Sequence, residues 1–261
     1  VDAGDLDGDG DEDLYVTHIT GETSTLYLND GSGLFSDAGM IAGLDVPSLP
    51  MTGFGTGWFD FDNDGDLDLL AVNGAVRRLD RDPTGEEAVA RTAAGAEHER
   101  QFGQPNQLFR NLGGGRFEEV SELAGPSFAA FDVSRGTAFG DVDNDGDTDV
   151  LISNNNGPAR LLVNLLGQDN GWIGLRLVVA DGKRDALGSL VRVVLDDVRV
   201  LTRRVRATMS YASSSDPRVL VGLGSAGIED VQVAWLGGGD ESFGRLAPHA
   251  YHELRQGHGQ P

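Results

Sequence analysis

The chain has 261 residues, 39% of them hydrophobic, and a formal net charge of −22. This length and apolar content can bury one large core or two ordinary ones, which excludes a disordered chain. No apolar run approaches the roughly 18 residues of a spanning helix, so we expect no membrane-spanning segment. The acidic excess argues against nucleic acid or an anionic membrane as the main partner. The absence of cysteine excludes a disulfide framework and a thiolate metal site.

The negative charge is concentrated in the first two thirds of the chain. Residues 171–261 carry 11 basic and 10 acidic side chains, so residues 1–170 hold the remaining 9 basic and 32 acidic ones, a net −23. Thirty of the 42 acids are Asp, whose short carboxylate favours turns and metal loops. The 38 glycines fit a β-protein with many tight turns. The sequence therefore predicts two modules, the first of them acidic and rich in loops.

A nine-residue acidic pattern, D-x-D-x-D-G-D-x-D, occurs three times in the first module. Its copies are DLDGDGDED (5–13), DFDNDGDLD (60–68) and DVDNDGDTD (141–149). Each is followed by Leu-x-x-Asn, and the distance from the first Asp to this Asn is 24, 51 and 23 residues. The second copy therefore carries about 27 extra residues, near 76–103, in which the Ala- and Glu-rich segment 86–100 predicts a short exposed helix. Without them, one repeat is about 55 residues long.

The repeat predicts a blade of a β-propeller. Apolar, β-favouring residues flank the acidic loops, as in GWF (57–59) and LLAV (69–72), so each loop joins two strands. The Leu-x-x-Asn segment and residues 116–120 add two more strands, and four strands make one blade. The first copy starts only four residues before its loop, and a closed ring needs at least four blades. We therefore interpret the chain as a fragment that holds a partial propeller of about three blades.

Alternating carboxylates followed by glycine are the ligand pattern of a calcium loop. A hard cation takes six to eight oxygen ligands, and glycine at position 6 supplies the positive φ that folds the loop back. Without a cation, carboxylates ~5 Å apart repel by roughly 0.8 kcal/mol per pair even in water. We predict side-chain ligands at positions 1, 3, 5 and 9 and a main-chain carbonyl ligand at position 7. The predicted ligand residues are Asp5, Asp7, Asp9, Asp11, Asp13, Asp60, Asp62, Asp64, Asp66, Asp68, Asp141, Asp143, Asp145, Asp147 and Asp149.

Calcium is favoured over the other interpretations of these loops. Position 12 is Val16, Ala71 or Ile152 rather than Glu, and strands flank the loops, so they are not EF-hands. Magnesium prefers octahedral sites that retain several waters. About three Ca²⁺ ions are therefore expected, with a structural role preferred over a regulatory or catalytic one. A solvated acidic turn without metal is the alternative.

The loops and the segments around them resemble the FG-GAP/VCBS repeats of integrin-α-like β-propellers. The pattern FDFDNDGDLD (59–68) carries this resemblance, which covers residues 1–167. It implies blades whose calcium loops lie in hairpins, and a secreted, periplasmic or cell-surface location.

After residue 167 the sequence changes to short alternating strands typical of a small β-sandwich or barrel. They include WIGLRLVV (172–179), LVRVVL (190–195) and VRVLTRRVR (198–206), with a hairpin turn at Asp196 and Asp197. Residues 168–261 resemble the ASPIC/UnbV domain through NGW (170–172), KRDALG (183–188), YASSSDP (211–217), VGLG (221–224) and VQVAW (231–235). The chain departs from that family at LGGG (236–239), where proline commonly follows the tryptophan.

Four other features are interpreted as structural. The G-x-G-x-x-G match at 222–227 is followed by a strand, whereas a dinucleotide site needs a helix N-terminus. His249 and His252 lack the H-E-x-x-H spacing and are expected on a terminal strand. Arg203, Arg204 and Arg206 are predicted to lie on a solvated strand face. Trp58 and Trp235 are expected in the core.

These patterns predict a non-enzymatic, calcium-stabilised extracellular binding, adhesion or scaffold module, with a protein or glycan ligand that remains unknown. No serine elbow, Cys-His pair or Walker loop is present. The main alternative is the non-catalytic propeller of a secreted carbohydrate-active enzyme. An intracellular scaffold is disfavoured, because resting cytosolic calcium would leave weak loops empty.

Overall fold

The structure is a computed structural model that describes residues 1–78, 101–126 and 128–261. The helix predicted at 86–100, and most of the insertion predicted at 76–103, lie outside the described residues. No helix in the described ranges is long and apolar enough to cross a bilayer.

The described residues form eighteen strands and two one-turn α-helices. The first eleven strands are β1 Asp2–Gly4, β2 Asp13–Val16, β3 Thr25–Asn29, β4 Phe35–Asp37, β5 Gly53–Phe59, β6 Asp68–Asn73, β7 Gln107–Asn111, β8 Phe117–Glu119, β9 Ser134–Gly140, β10 Asp149–Asn154 and β11 Arg160–Leu162. The others are β12 Gly171–Val178, β13 Leu190–Leu195, β14 Val200–Arg204, β15 Val219–Gly224, β16 Ile228–Ala234, β17 Asp240–Ser242 and β18 Tyr251–Arg255. The helices α1 (Gly39–Ala42) and α2 (Asp45–Ser48) lie between β4 and β5.

Five sheets lie in a propeller-like arrangement, and the first three follow one another along the chain. Blade 1 has the strand order β1-β2-β3-β4, blade 2 has β5-β6-β7-β8, and blade 3 has the three strands β9-β10-β11, all of them antiparallel meanders. The last two sheets, β15-β12-β18 and β14-β13-β16-β17, follow blade 3. We call these two sheets the C-terminal sandwich. The predicted all-β fold, with repeat blades followed by a small β-sandwich, is confirmed.

Three apolar clusters hold the sheets together. The first lies between blades 1 and 2, where Tyr15 and Leu26 pack with Trp58 and Phe109. The second lies between blades 2 and 3 and includes Phe61. The third contains residues of both C-terminal sheets, which is the face-to-face packing of a sandwich. Trp58 and Trp235 are 3% and 4% exposed, as predicted for core residues.

The connection between β14 and β15 fastens the sandwich to the blades. The edge strand β5 contacts both β1 and β9, so the first strands of the three blades lie side by side. Along them, the Thr56 N–H donates to Ser210 Oγ at 3.0 Å and the Phe139 N–H to Ser215 Oγ at 3.1 Å. These bonds satisfy edge-strand groups that are otherwise unpaired in a sheet.

Candidate metal centres

Each acidic segment forms the hairpin loop between the first two strands of its blade. Loop 1 (5–13) joins β1 to β2, loop 2 (60–68) joins β5 to β6, and loop 3 (141–149) joins β9 to β10. The position-6 glycines have the predicted positive φ, namely Gly10 (96°), Gly65 (102°) and Gly146 (96°). Position 4 is also left-handed, a feature the sequence analysis missed, at Gly8 (79°), Asn63 (58°) and Asn144 (60°). Glycine and asparagine are the residues that tolerate this conformation best.

Three carboxylates converge in every loop, with oxygen atoms within 4.8 Å of one another. The triads are Asp60, Asp62 and Asp68 in loop 2, Asp141, Asp143 and Asp149 in loop 3, and Asp5, Asp7 and Asp9 in loop 1. Loops 2 and 3 therefore use positions 1, 3 and 9, whereas loop 1 uses positions 1, 3 and 5. The structure thus brings together three of the four predicted side-chain positions in each loop.

The fourth predicted side chain accepts main-chain hydrogen bonds. In loop 2, Asp64 Oδ1 accepts the Asp66 N–H at 2.9 Å, and in loop 3, Asp145 Oδ1 accepts the Asp147 N–H at 3.3 Å. In loop 1, Asp13 turns both carboxylate oxygens onto main-chain donors. These carboxylates shape their loops.

The position-9 aspartates tie each loop to the third strand of its blade. Each accepts one N–H from position 2 of its loop and a second from the Asn of the Leu-x-x-Asn segment. The pairs of N···O distances are 3.2 and 2.8 Å for Asp13, 3.1 and 2.8 Å for Asp68, and 2.8 and 2.8 Å for Asp149. Since all three are buried, these bonds fix the loop conformation.

Two of these asparagines connect neighbouring blades. Asn111 Nδ2 donates to Leu67 O in its own loop at 3.0 Å and to Leu6 O in loop 1 at 3.1 Å. Asn164 Nδ2 donates to Phe61 O in loop 2 at 2.7 Å. In both cases the carbonyl of the preceding blade that accepts this hydrogen bond belongs to position 2 of its loop. The recurring Leu-x-x-Asn spacing was the sequence signal for this role, which the sequence analysis did not assign.

Burial of the loop carboxylates disfavours their charged forms. Burial raises the pKa of Asp60 to about 7 and that of Asp13 to about 6, and it raises the pKa of Asp68 well above its usual value. Burial, reinforced by Asp145, also raises the pKa of Asp147 to about 7. A proton or a nearby cation stabilises carboxylates that are buried in this way.

The ligand atoms that loop 2 offers fit a calcium ion. They are all carboxylate oxygens, the hard ligands that calcium prefers. Asp60 and Asp68 are 6% and 1% exposed, and Asp62 Oδ1 is buried with no hydrogen-bond partner. Arg110 lies 3.2 Å from the other Asp62 oxygen and supplies one positive charge to a triad that can carry three negative ones. A divalent cation would balance the remaining negative charge of the ionised triad.

Loop 3 contains a further buried acid outside its triad. Asp147, at position 7, is 1% exposed, and neither of its carboxylate oxygens has a hydrogen-bond partner. Its counterparts Asp11 and Asp66 are only partly buried. The main-chain ligand role predicted for position 7 stays a prediction in all three loops.

The three arginines at the end of β14 and just after it face blades 1 and 2, so the prediction that they lie on a solvated strand face is wrong. Arg204 Nε lies 2.9 and 3.0 Å from the two carboxylate oxygens of Glu12, and Arg203 donates to Gly65 O at 2.9 Å. Arg206 contacts Asp2 at 3.4 Å. The three side chains contact carboxylate and main-chain oxygen atoms of the blades, and the sequence of one strand does not reveal such contacts.

The loops of all three blades meet the sandwich around one cavity of about 120 Å³. The position-1 aspartates Asp5, Asp60 and Asp141 line it together with Arg203 and Tyr251. Burial lowers the pKa of Arg203, and the charges of Asp60 and Asp5 oppose that shift. The sandwich therefore places a half-buried guanidinium among the position-1 aspartates of the three loops.

The remaining motifs are structural in the folded chain. Gly222 of the G-x-G-x-x-G segment lies against Asp60 and Asn63 of loop 2, where a Cβ atom would collide, and strand β16 follows. His252 lies on the terminal strand β18, as predicted, and its Nε2 is 2.8 Å from Ala247 O. His249 precedes this strand, so the prediction is wrong for His249.

Comparison with protein families matches residues 5–71 and 93–152 to the FG-GAP-like repeat and residues 180–261 to ASPIC and UnbV. A search among curated proteins gives no match. The two family matches cover most of the blades and most of the sandwich. The chain therefore contains FG-GAP-like repeats followed by a C-terminal ASPIC and UnbV domain.

Proposed function

We propose that the chain is a calcium-stabilised binding or scaffold module in which each of the three loops binds one Ca²⁺ ion. The observation that carries this proposal is the set of three carboxylate triads, repeated at the same hairpin of every blade. FG-GAP-like repeats and a propeller fold favour a binding or scaffold role.

Calcium fits these loops better than magnesium does. Each loop offers more carboxylate oxygens than the one or two that a hydrated magnesium ion uses. A bound ion would neutralise the repulsion within each triad and fix the hairpin, so its role is structural. Asp5, Asp7 and Asp9 would hold it in loop 1, and the position 1, 3 and 9 acids would hold it in loops 2 and 3.

The proposed setting is secreted, periplasmic or cell-surface. Calcium is millimolar outside cells, and extracellular calcium modules bind at ~10⁻⁴ to 10⁻³ M, so loops of modest affinity would be filled there. We propose that the chain acts through binding rather than catalysis, with a protein or a glycan as its ligand.

Calorimetric titration of the EDTA-treated chain with calcium tests the proposal. We expect close to three ions per chain and a melting temperature that rises with calcium. Asp7→Asn, Asp62→Asn and Asp143→Asn, which each change position 3 of one loop, should each remove about one binding event. Asp240→Asn, at an exposed acid outside the loops, is the matched control and should bind as many ions as the unsubstituted chain. Titration without heat, together with a melting temperature insensitive to EDTA, would refute the calcium function.

A further inference from the structure

Loop 3 differs from the other loops in how the C-terminal part of the chain touches it. The hydroxyl of Tyr251 in β18 donates to Asp141 Oδ2 at 2.7 Å, and Gln168 Nε2 donates to Asp145 Oδ2 at 2.9 Å. Both acceptors are carboxylate oxygens of predicted ligands.

Loops 1 and 2 are contacted at other atoms. In loop 2, Arg199 and Arg203 of the sandwich donate to the main-chain carbonyls of Asp64 and Gly65. In loop 1, Arg204 binds Glu12, which lies at position 8, outside the triad. Among the described residues, hydrogen bonds from residues 168–261 reach predicted ligand carboxylates only in loop 3.

The position of the Tyr251 side chain is fixed by the sandwich. Tyr251 pairs with Gly174 of β12, and its ring fills the space that a Cβ atom at Gly174 would need. The Arg218 guanidinium lies 4.4 Å from the ring centroid, and the ring of Trp172 packs 5.4 Å away. The hydroxyl therefore reaches Asp141 from a rigid support.

Arg218 attaches the same corner of the sandwich to the backbone of loop 3. Its Nη2 donates to Asp141 O at 2.8 Å, and its Nη1 donates to Asn144 Oδ1 at 2.6 Å. Through these hydrogen bonds, Tyr251 and Arg218 together hold positions 1 and 4 of loop 3.

The Asp141 carboxylate receives three donors in this arrangement. Besides Tyr251, the Asp145 N–H lies 3.2 Å from Oδ1 and the Gly146 N–H lies 2.9 Å from Oδ2. The last two donors come from the loop itself and have counterparts on Asp60 in loop 2, where the Asp64 and Gly65 N–H groups donate. The Tyr251 hydroxyl is the donor to Asp141 that has no counterpart on Asp60.

We propose that Tyr251 is a positioning residue that orients Asp141 for calcium and thereby couples calcium binding in loop 3 to docking of the C-terminal sandwich. The inference rests on the proposed calcium function. A carboxylate whose rotamer is already fixed loses less side-chain entropy when it binds an ion. Coupling is reciprocal, so calcium in loop 3 strengthens the attachment of the sandwich by the same factor.

Tyr251→Phe tests the inference, because it removes the hydroxyl and keeps the ring against Arg218. Fixing one side chain before an ion binds is worth a factor of about two to ten in an equilibrium constant. We expect calorimetry to show one of the three calcium sites weakened by about two- to tenfold and the other two unchanged.

Two double variants show which loop is affected. Asp143→Asn removes position 3 of loop 3, and Asp7→Asn removes the matching exposed acid of loop 1. The effect of Tyr251→Phe should vanish in the Asp143→Asn background and persist in the Asp7→Asn background. An effect of equal size in both backgrounds would overturn the inference, because it would indicate general destabilisation of the fold.

Hydrogen exchange gives a readout of docking. In the unsubstituted chain, calcium should slow amide exchange in β18 and β12, and this slowing should be lost in Tyr251→Phe while slowing in β2 remains. Three calcium sites with unchanged affinities in Tyr251→Phe would refute the coupling and leave the calcium function standing. Absence of calcium binding by the unsubstituted chain would refute the calcium function, and the inference would fall with it.

Discussion

The blades and the C-terminal sandwich are stabilised in different ways. The sandwich has one cluster of seventeen buried apolar residues, and no acidic triad lies among its described residues. The three blades divide their apolar contacts between two clusters of ten, and every blade carries a triad at one hairpin. Apolar burial is independent of ions, whereas a carboxylate triad is repulsive until a cation or protons neutralise it. The stability of the blades therefore depends on solution conditions, whereas the stability of the sandwich depends on them far less.

Calcium removal should separate the two regions most strongly. With free calcium at ten times the dissociation constant, each loop would gain about 1.4 kcal/mol, or about 4 kcal/mol for three loops. We expect EDTA to lower the melting temperature and to speed amide exchange in β2, β6 and β10 far more than in β13 and β16. Hydrogen-exchange mass spectrometry with and without calcium measures this difference. Equal acceleration of amide exchange in the blades and the sandwich would contradict this difference between the two regions.

Asp68→Ala should be the most damaging single change in a loop. The side chain accepts the Phe61 and Asn111 N–H groups, and removal of this buried acceptor leaves both donors unsatisfied. We expect a loss of about 3 kcal/mol in the free energy of unfolding, measured by urea denaturation with calcium present.

Asp66→Ala is the control for this change. Asp66 lies in the same loop, is only partly buried and is not a triad member. Asp66→Ala should therefore lower the free energy of unfolding much less than Asp68→Ala does. In EDTA, Asp68→Ala should still destabilise the chain, because its two main-chain partners do not depend on an ion. A neutral effect in EDTA would show that the hydrogen bonds contribute little.

The pH dependence should reverse when calcium is removed. The pKa of Asp60 is about 7 in the folded chain, above its ordinary value of 3.8, so the folded chain binds a proton that the unfolded chain releases. Stability contributed by this proton is present at low pH and is lost as pH rises through about 7. In EDTA, lowering the pH from 8 to 6 should therefore stabilise the blades, by about 1 kcal/mol from Asp60 alone.

With calcium present, the same protons compete with the ion, so lower pH should weaken calcium binding instead. In the sandwich, the hydrogen bond from the Arg199 N–H lowers the pKa of Asp197. The stability that the ionised Asp197 contributes is therefore lost only in more acidic solution. Melting curves at pH 6 and 8, with EDTA and with calcium, test the reversal. Parallel pH profiles in the two conditions would argue against ion binding by these acids.

The repeats were predictable from sequence because their signals are local. Alternating aspartates, a glycine at position 6 and β-favouring flanks act within about a dozen residues, and they located the three hairpins and the all-β fold. The Leu-x-x-Asn spacing was also visible, but the reach of Asn111 to Leu6 O depends on how two blades pack. A local pattern does not contain that information.

The contacts between blades and sandwich were not predictable for the same reason. Arg204 and Glu12 are 192 residues apart in the chain, and Tyr251 and Asp141 are 110 apart. Arg203, Arg204 and Arg206 were visible as a charge pattern, yet their acidic partners lie on a blade and not in the sandwich. The unequal distribution of charge along the sequence was the one available signal that the basic strand and the acidic loops attract each other.

The ion pair between Arg204 and Glu12 should give the smallest effect, and it tests whether surface charge adds to the coupling of blades and sandwich. Both side chains are about one third exposed, so solvent screens their attraction. We expect Glu12→Gln to cost about 0.5 kcal/mol in the free energy of unfolding at low salt and to lose this effect in 1 M salt. Arg204→Met, which keeps most of the apolar stem, should cost a similar amount, and the double variant should cost no more than either single one. Additive losses in the double variant would show that the two side chains act through other partners, such as Gly188 O for Arg204.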